Sequence, residues 1–199
     1  MKKTIFALAL CLTIGIVFGQ DSFASYPSTY DGKTYDVSIS LKGDTKYTLY
    51  TDIMSMDRLS DKAGIMLDEK SHPGFLTDLA EVKKTYSEWI ETAKANNVTE
   101  LDKRLSVKTR CGGYFYYGSK WNFQYVVTLN YDFKIADGKY LLIVRTGKLQ
   151  SSSNQYIDHD GGVIVFTDPS EIDEFISALS LESVQEFRDK PKEEDLFKE

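Results

Sequence analysis

The sequence predicts an α+β fold: a curved antiparallel sheet of about six to seven strands, with a long central helix and a C-terminal helix packed on it. Three observations predict it. Apolar and polar residues alternate with period two in segment after segment. Two other stretches carry apolar residues at spacings of three and four. Tight turns, rather than helical crossovers, join most of the strands, so pairing should be antiparallel. The expected order is βββ-α-ββββ-α. A partly closed β-barrel capped by the C-terminal helix is the alternative, because long hairpins twist and twist favours closure.

Each element has its own justification. Ser25 to Lys33 is polar and turn-rich and reads as a lead-in. From Thr34 to Lys42, Tyr35, Val37, Ile39 and Leu41 share one face. Gly43-Asp44 turns the chain, and Tyr47, Leu49, Thr51 and Ile53 continue the alternation. Ala63 to Leu67 is a short apolar run and a third strand. Pro73 then opens a helix, where its missing N–H is no loss. Phe75, Leu79, Val82, Tyr86, Trp89 or Ile90, and Ala93 form its apolar stripe, and Asn96-Asn97 ends it.

The second half reads as a meander. Leu105, Val107 and Thr109 alternate, and Cys111-Gly112-Gly113 reads as a strand end running into a turn. From Trp121 to Ile135 every second residue is apolar or aromatic. Asp137-Gly138 is a two-residue hairpin turn, which pairs Ala136 with Lys139, Phe133 with Leu142 and Tyr131 with Val144. That register puts Leu141 and Ile143 on the second face, part of which should therefore be covered. Gln150 to Asp160 reads as a polar loop and Val163 to Phe166 as a fully buried strand. Asp168, Pro169 and Glu171 open the last helix as cap, first residue and capping-box partner, before the stripe of Ile172, Phe175, Ile176 and Leu179. Leu181 to Phe187 adds a short turn.

The first residues carry the layout of a secretory signal peptide. Lys2 and Lys3 precede an uncharged run from Ile5 to Phe18, with small residues at Gly19 and Ala24. The expected organisation is a leader over 1–24, cleaved after Gly19 or after Ala24, a single domain over 25–189 and a charged tail over 190–199. The expected location is secreted or periplasmic, with no membrane span once the leader is removed. Cys11 lies inside the apolar run, so it is misplaced for a lipid anchor. With only Cys111 left, no disulfide forms within the domain. The net charge of −6 at pH 7 leaves no basic stripe, which disfavours nucleic acid and anionic lipid as partners.

Two clusters could carry chemistry. Asp158-His159-Asp160 supplies an imidazole between carboxylates, the types used for acid–base work or metal binding, although neighbours in an extended segment point apart. Tyr114, Tyr116, Tyr117 and Trp121 could instead form an aromatic binding surface. No nucleophile elbow, phosphate loop, dinucleotide fingerprint or zinc-protease motif occurs. The expectation is an exported, non-catalytic domain that binds a protein or glycan through the aromatic sheet face, without cofactor or metal. The alternatives are a hydrolase using Asp158, His159 and Asp160, and an envelope assembly component pairing through its hairpin edges.

Overall fold

The computed structural model describes residues 20–190, where the chain forms ten strands and three helices. The strands are β1 (Asp21–Pro27), β2 (Thr34–Lys42), β3 (Lys46–Ser55), β4 (Lys62–Asp68), β5 (Leu101–Tyr117), β6 (Lys120–Ala136), β7 (Lys139–Arg145), β8 (Leu149–Ser151), β9 (Asn154–His159) and β10 (Gly162–Phe166). The helices are α1 (His72–Ala95), α2 (Pro169–Ala178) and α3 (Leu181–Asp189). The expected leader lies outside the described residues up to residue 19, and the expected tail from residue 191.

The main sheet is antiparallel and runs β1-β2-β3-β10-β7-β6-β5-β4, and β4 also pairs with β3. That last pairing closes β3, β10, β7, β6, β5 and β4 into a six-stranded barrel. Closure works because β3 shares one edge between two partners. Val37 to Lys42 of β2 take its first part, and Gly162 and Val163 of β10 take its end. β1 and β2 thus leave the barrel as a two-stranded flange. The barrel is split along one seam. β4 pairs with β5 only from Gly112 to Phe115, so the first half of β5 keeps a free edge.

One core fills the barrel and continues under the helices. The β3 face expected to be buried is buried throughout, from Tyr47 to Ile53. All six positions of the α1 stripe, taking Ile90 rather than Trp89, join the same core, as do Ile172, Phe175 and Leu179 of α2. The β6–β7 register is the one expected, with Phe133 opposite Leu142 and Tyr131 opposite Val144. Asp137 and Gly138 both have positive φ (51° and 72°), as the turn requires. Leu141, Val163 and Val165 make a second, smaller cluster on the outer face, with Met54 and Ile143 packed beside it.

Several expectations need correction. Gly112-Gly113 is not a turn. Both lie inside β5, a single 17-residue strand. A Cβ on Gly113 would come within 3.0 Å of Leu149 and Val127, so the glycines mark close packing instead. The alternation of β6 holds only from Val127 onward. Between Val127 and Gln124 the register slips, and Tyr125 and Val126 stand opposite Gly112 alone. This β-bulge flips the parity, so Asn122 points inward while Trp121 and Phe123 point outward. Gln150–Asp160 is not a loop but largely the β8–β9 hairpin. Leu181–Phe187 belongs to a helix, capped by the Ser180 side chain. Asp168 caps α2 as expected, but Glu171 reaches past it to accept from the Thr167 N–H at 2.8 Å.

Candidate functional site

The strand periodicity decides which side chains leave the core. On β3, with Leu49, Thr51 and Ile53 turned inward, Tyr50 and Asp52 must face outward. On β5, Phe115 is fully buried in the core, so Tyr114 and Tyr116 take the opposite face, where Tyr114 is itself covered, at 5% exposed. On β6 the bulge sends Trp121 and Phe123 to the same side. Register brings these positions together: Asp52 pairs with Gly64, Gly64 with Tyr114, and Tyr114 with Phe123.

Gly64 makes the arrangement possible. The Tyr114 ring lies directly over it, and a Cβ there would sit 2.1 Å from the ring. Crossing β4 this way, the Tyr114 hydroxyl donates to Asp52 Oδ1 at 2.6 Å. Tyr50, Trp121 and Tyr114 form an edge-to-face cluster, with Tyr114 centroids 5.7 Å from Tyr50 and 5.6 Å from Trp121. Tyr116 extends it at 5.1 Å from Trp121, with the Lys62 ammonium over the Tyr116 ring.

These rings form one wall of a groove of about 580 Å³ where the β1–β2 flange leaves the barrel. The other wall carries Ser22, Asp36 and Ser38, and Asp61 and Lys62 stand at one end. Burial pushes the Asp52 carboxyl above its ordinary range, and neighbouring Asp36 adds to the rise; Tyr114 and Lys62 pull against it. Burial and Asp52 together push the Tyr114 phenol well above its ordinary range, so it stays a donor. Among the described residues, Oδ2 of Asp52 accepts no hydrogen bond. The groove therefore offers rings, hydroxyls and a half-free carboxylate.

A second cavity, of about 640 Å³, opens where β4 and β5 part. Its two carboxylates are already engaged. Asp68 accepts from the Ser71 N–H and hydroxyl, and Asp78 accepts from Thr109. Cys111 lines it, but burial pushes that thiol up to about 12, which leaves no thiolate for nucleophilic work at neutral pH.

The Asp158-His159-Asp160 triplet does not converge. Asp158 points outward to Lys148 at 2.8 Å. Asp160 is exposed, and its N–H donates to Asp57. His159 is buried against Phe115, with ring centroids 5.2 Å apart. Its Nδ1 accepts from the Gly161 N–H at 3.0 Å, so its proton resides on Nε2, which faces Ser55 Oγ at 3.3 Å. A protonated Nε2 cannot take the Ser55 proton, and Ser55 already donates to the Ser60 carbonyl. The imidazole is a strut between the β3–β4 and β9–β10 corners. His72, the other histidine, is buried and bonded through Nδ1 to the Tyr47 hydroxyl. Among the described residues no three His, Cys, Asp or Glu side chains form a metal-holding group.

Of the four aromatic residues singled out from the sequence, Tyr114 and Trp121 line the groove and Tyr116 flanks it. Tyr117 faces the opposite way at the hairpin tip. Sequence reasoning missed Tyr50, Asp52 and Phe123. The signal for Tyr50 and Asp52 was present, as the outward half of the β3 alternation. The signal for Phe123 was absent, because nothing local announces the bulge. The chain matches no protein-family model, no curated protein and no solved structure.

Proposed function

We propose that this chain is an exported, non-catalytic binding module that takes a glycan in the groove between flange and barrel. The observation that carries the reading is the outward cluster of Tyr50, Tyr114, Trp121 and Phe123 around the carboxylate of Asp52. Aromatic faces and edges suit the apolar C–H surfaces of a sugar ring, and carboxylates and serine hydroxyls suit its hydroxyls. Asp36, Asp52 and Asp61 outnumber Lys62, which favours neutral and amino sugars over acidic ones. The leader-like first residues support delivery outside the cytoplasm, where glycans are displayed.

The test is calorimetric titration with neutral, amino and acidic oligosaccharides. Saturable binding to the first two classes is expected, weakened about tenfold or more, or about 1.4 kcal/mol, by Trp121→Ala. A panel without saturable binding, or a Trp121→Ala variant that binds as the native chain does, overturns the reading.

A further inference from the structure

We infer that the leader is removed between Gly19 and Gln20, and that the new amino terminus forms part of the groove. The inference rests on the leader reading above and adds to it the choice of bond. Two bonds satisfy the small-residue pattern, after Gly19 and after Ala24. The fold separates them.

Residues 21–24 belong to the folded body. Asp21, Ser22 and Ala24 pair with Ile39, Ser38 and Val37 of β2. Phe23 packs edge-on against Phe187 of α3, with centroids 5.6 Å apart, and Ala24 packs on the main core. Cutting after Ala24 removes four of the seven residues of β1, uncovers the edge of β2 and takes the aromatic partner from α3. Cutting after Gly19 removes none of these contacts, since β1 begins at Asp21.

Hydrolysis of the Gly19–Gln20 bond consumes one water and leaves a carboxylate on Gly19 and an α-amino group on Gln20. Gln20 lines the groove beside Ser22, and Asp36 and Asp52 line the same groove. The cut thus places a positive charge at the rim of an acidic groove. The new terminal glutamine can also cyclise: its amine attacks the side-chain carbonyl carbon and ammonia leaves, which removes that charge.

The experiment is the intact mass of the chain exported by a bacterial host from the full sequence. The expected mass is that of residues 20–199, or that mass less one ammonia. A product beginning at Ser25 overturns the inference and leaves the leader reading standing. An uncut chain beginning at Met1 overturns both. As a second measurement, chains made to start at Gln20 and at Ser25 are compared in thermal unfolding. The Ser25 chain should melt about 3 °C lower or more. Equal midpoints would show that residues 21–24 contribute nothing to the fold and overturn the argument for the upstream bond.

Discussion

Single side chains set how this protein responds to pH, and the two kinds of buried group act in opposite directions. Burial lowers the pKa of His159 and of His72 below the ordinary 6.5. The unfolded chain therefore binds more protons just below that value, and stability falls as pH drops through it. The thermal midpoint should decline between about pH 6.5 and 5, and His159→Gln should flatten that slope whatever it does to the absolute midpoint. An unchanged slope would show that His159 does not titrate with unfolding. Asp52 behaves inversely. Its folded pKa lies above the ordinary 3.8, so the stability it contributes is complete below that value and is lost as pH rises through the folded pKa. Asparagine keeps an oxygen for the Tyr114 hydroxyl without the buried charge. Asp52→Asn should therefore match or exceed the native midpoint at pH 7, an advantage that disappears below about pH 4. A variant less stable at neutral pH would mean that the carboxylate is held by more than Tyr114 and Lys62.

Elements were legible where one face is buried and the other wet. The α1 stripe, the β3 alternation and the β6–β7 register could all be read because each repeats a local period. What escaped depends on partners distant in sequence. The bulge at Tyr125-Val126 exists because β5 contributes only Gly112 opposite them, and no local pattern in β6 records that. Closure by the β3–β4 pairing is likewise a property of two strands meeting, not of either alone. The candidate site inherits this division: Tyr114 and Trp121 were visible as aromatic residues, while the convergence on Asp52 needed the register across β4. Glycine positions expose these long-range demands. Gly161 has a φ of 80°, and a Cβ there would meet the Gly147 carbonyl oxygen at 1.7 Å, just where β10 enters the barrel. Gly161→Ala should cost about 3 kcal/mol or more in denaturant unfolding. Gly64→Ala should cost less, about 1–3 kcal/mol, because the Tyr114 ring can swing away. That swing should break the bond to Asp52 and weaken glycan binding out of proportion to the stability lost.

For the whole molecule, closure distributes stability unevenly. The six barrel strands are each paired on both sides over at least part of their length, and they enclose one core. The outer side of β1 and the first half of β5 have no partner strand among the described residues. The β5 edge carries Asp102, Lys103, Arg104, Lys108 and Arg110, a run of charges that discourages pairing with another chain. Arg104 and Arg145 also bind Asp132 from either side, at 2.7 and 3.2 Å, which ties that part of β5 down to the barrel. β1 has no comparable charge; it is held by β2, by Phe187, by the core contacts of Ala24 and Tyr26, and by the Tyr26 hydroxyl donating to the Asp52 carbonyl. Hydrogen exchange should rank the molecule accordingly. Amides of β3, β6, β7 and β10 should open only with global unfolding, while β1 and the β8–β9 hairpin should open locally at lower free energy. A glycan seated between flange and barrel contacts both sides of this boundary. Saturating ligand should slow exchange in β1 and β2 more than in β7 and β10, which face away from the groove. Uniform protection across all strands would instead point to binding elsewhere on the barrel.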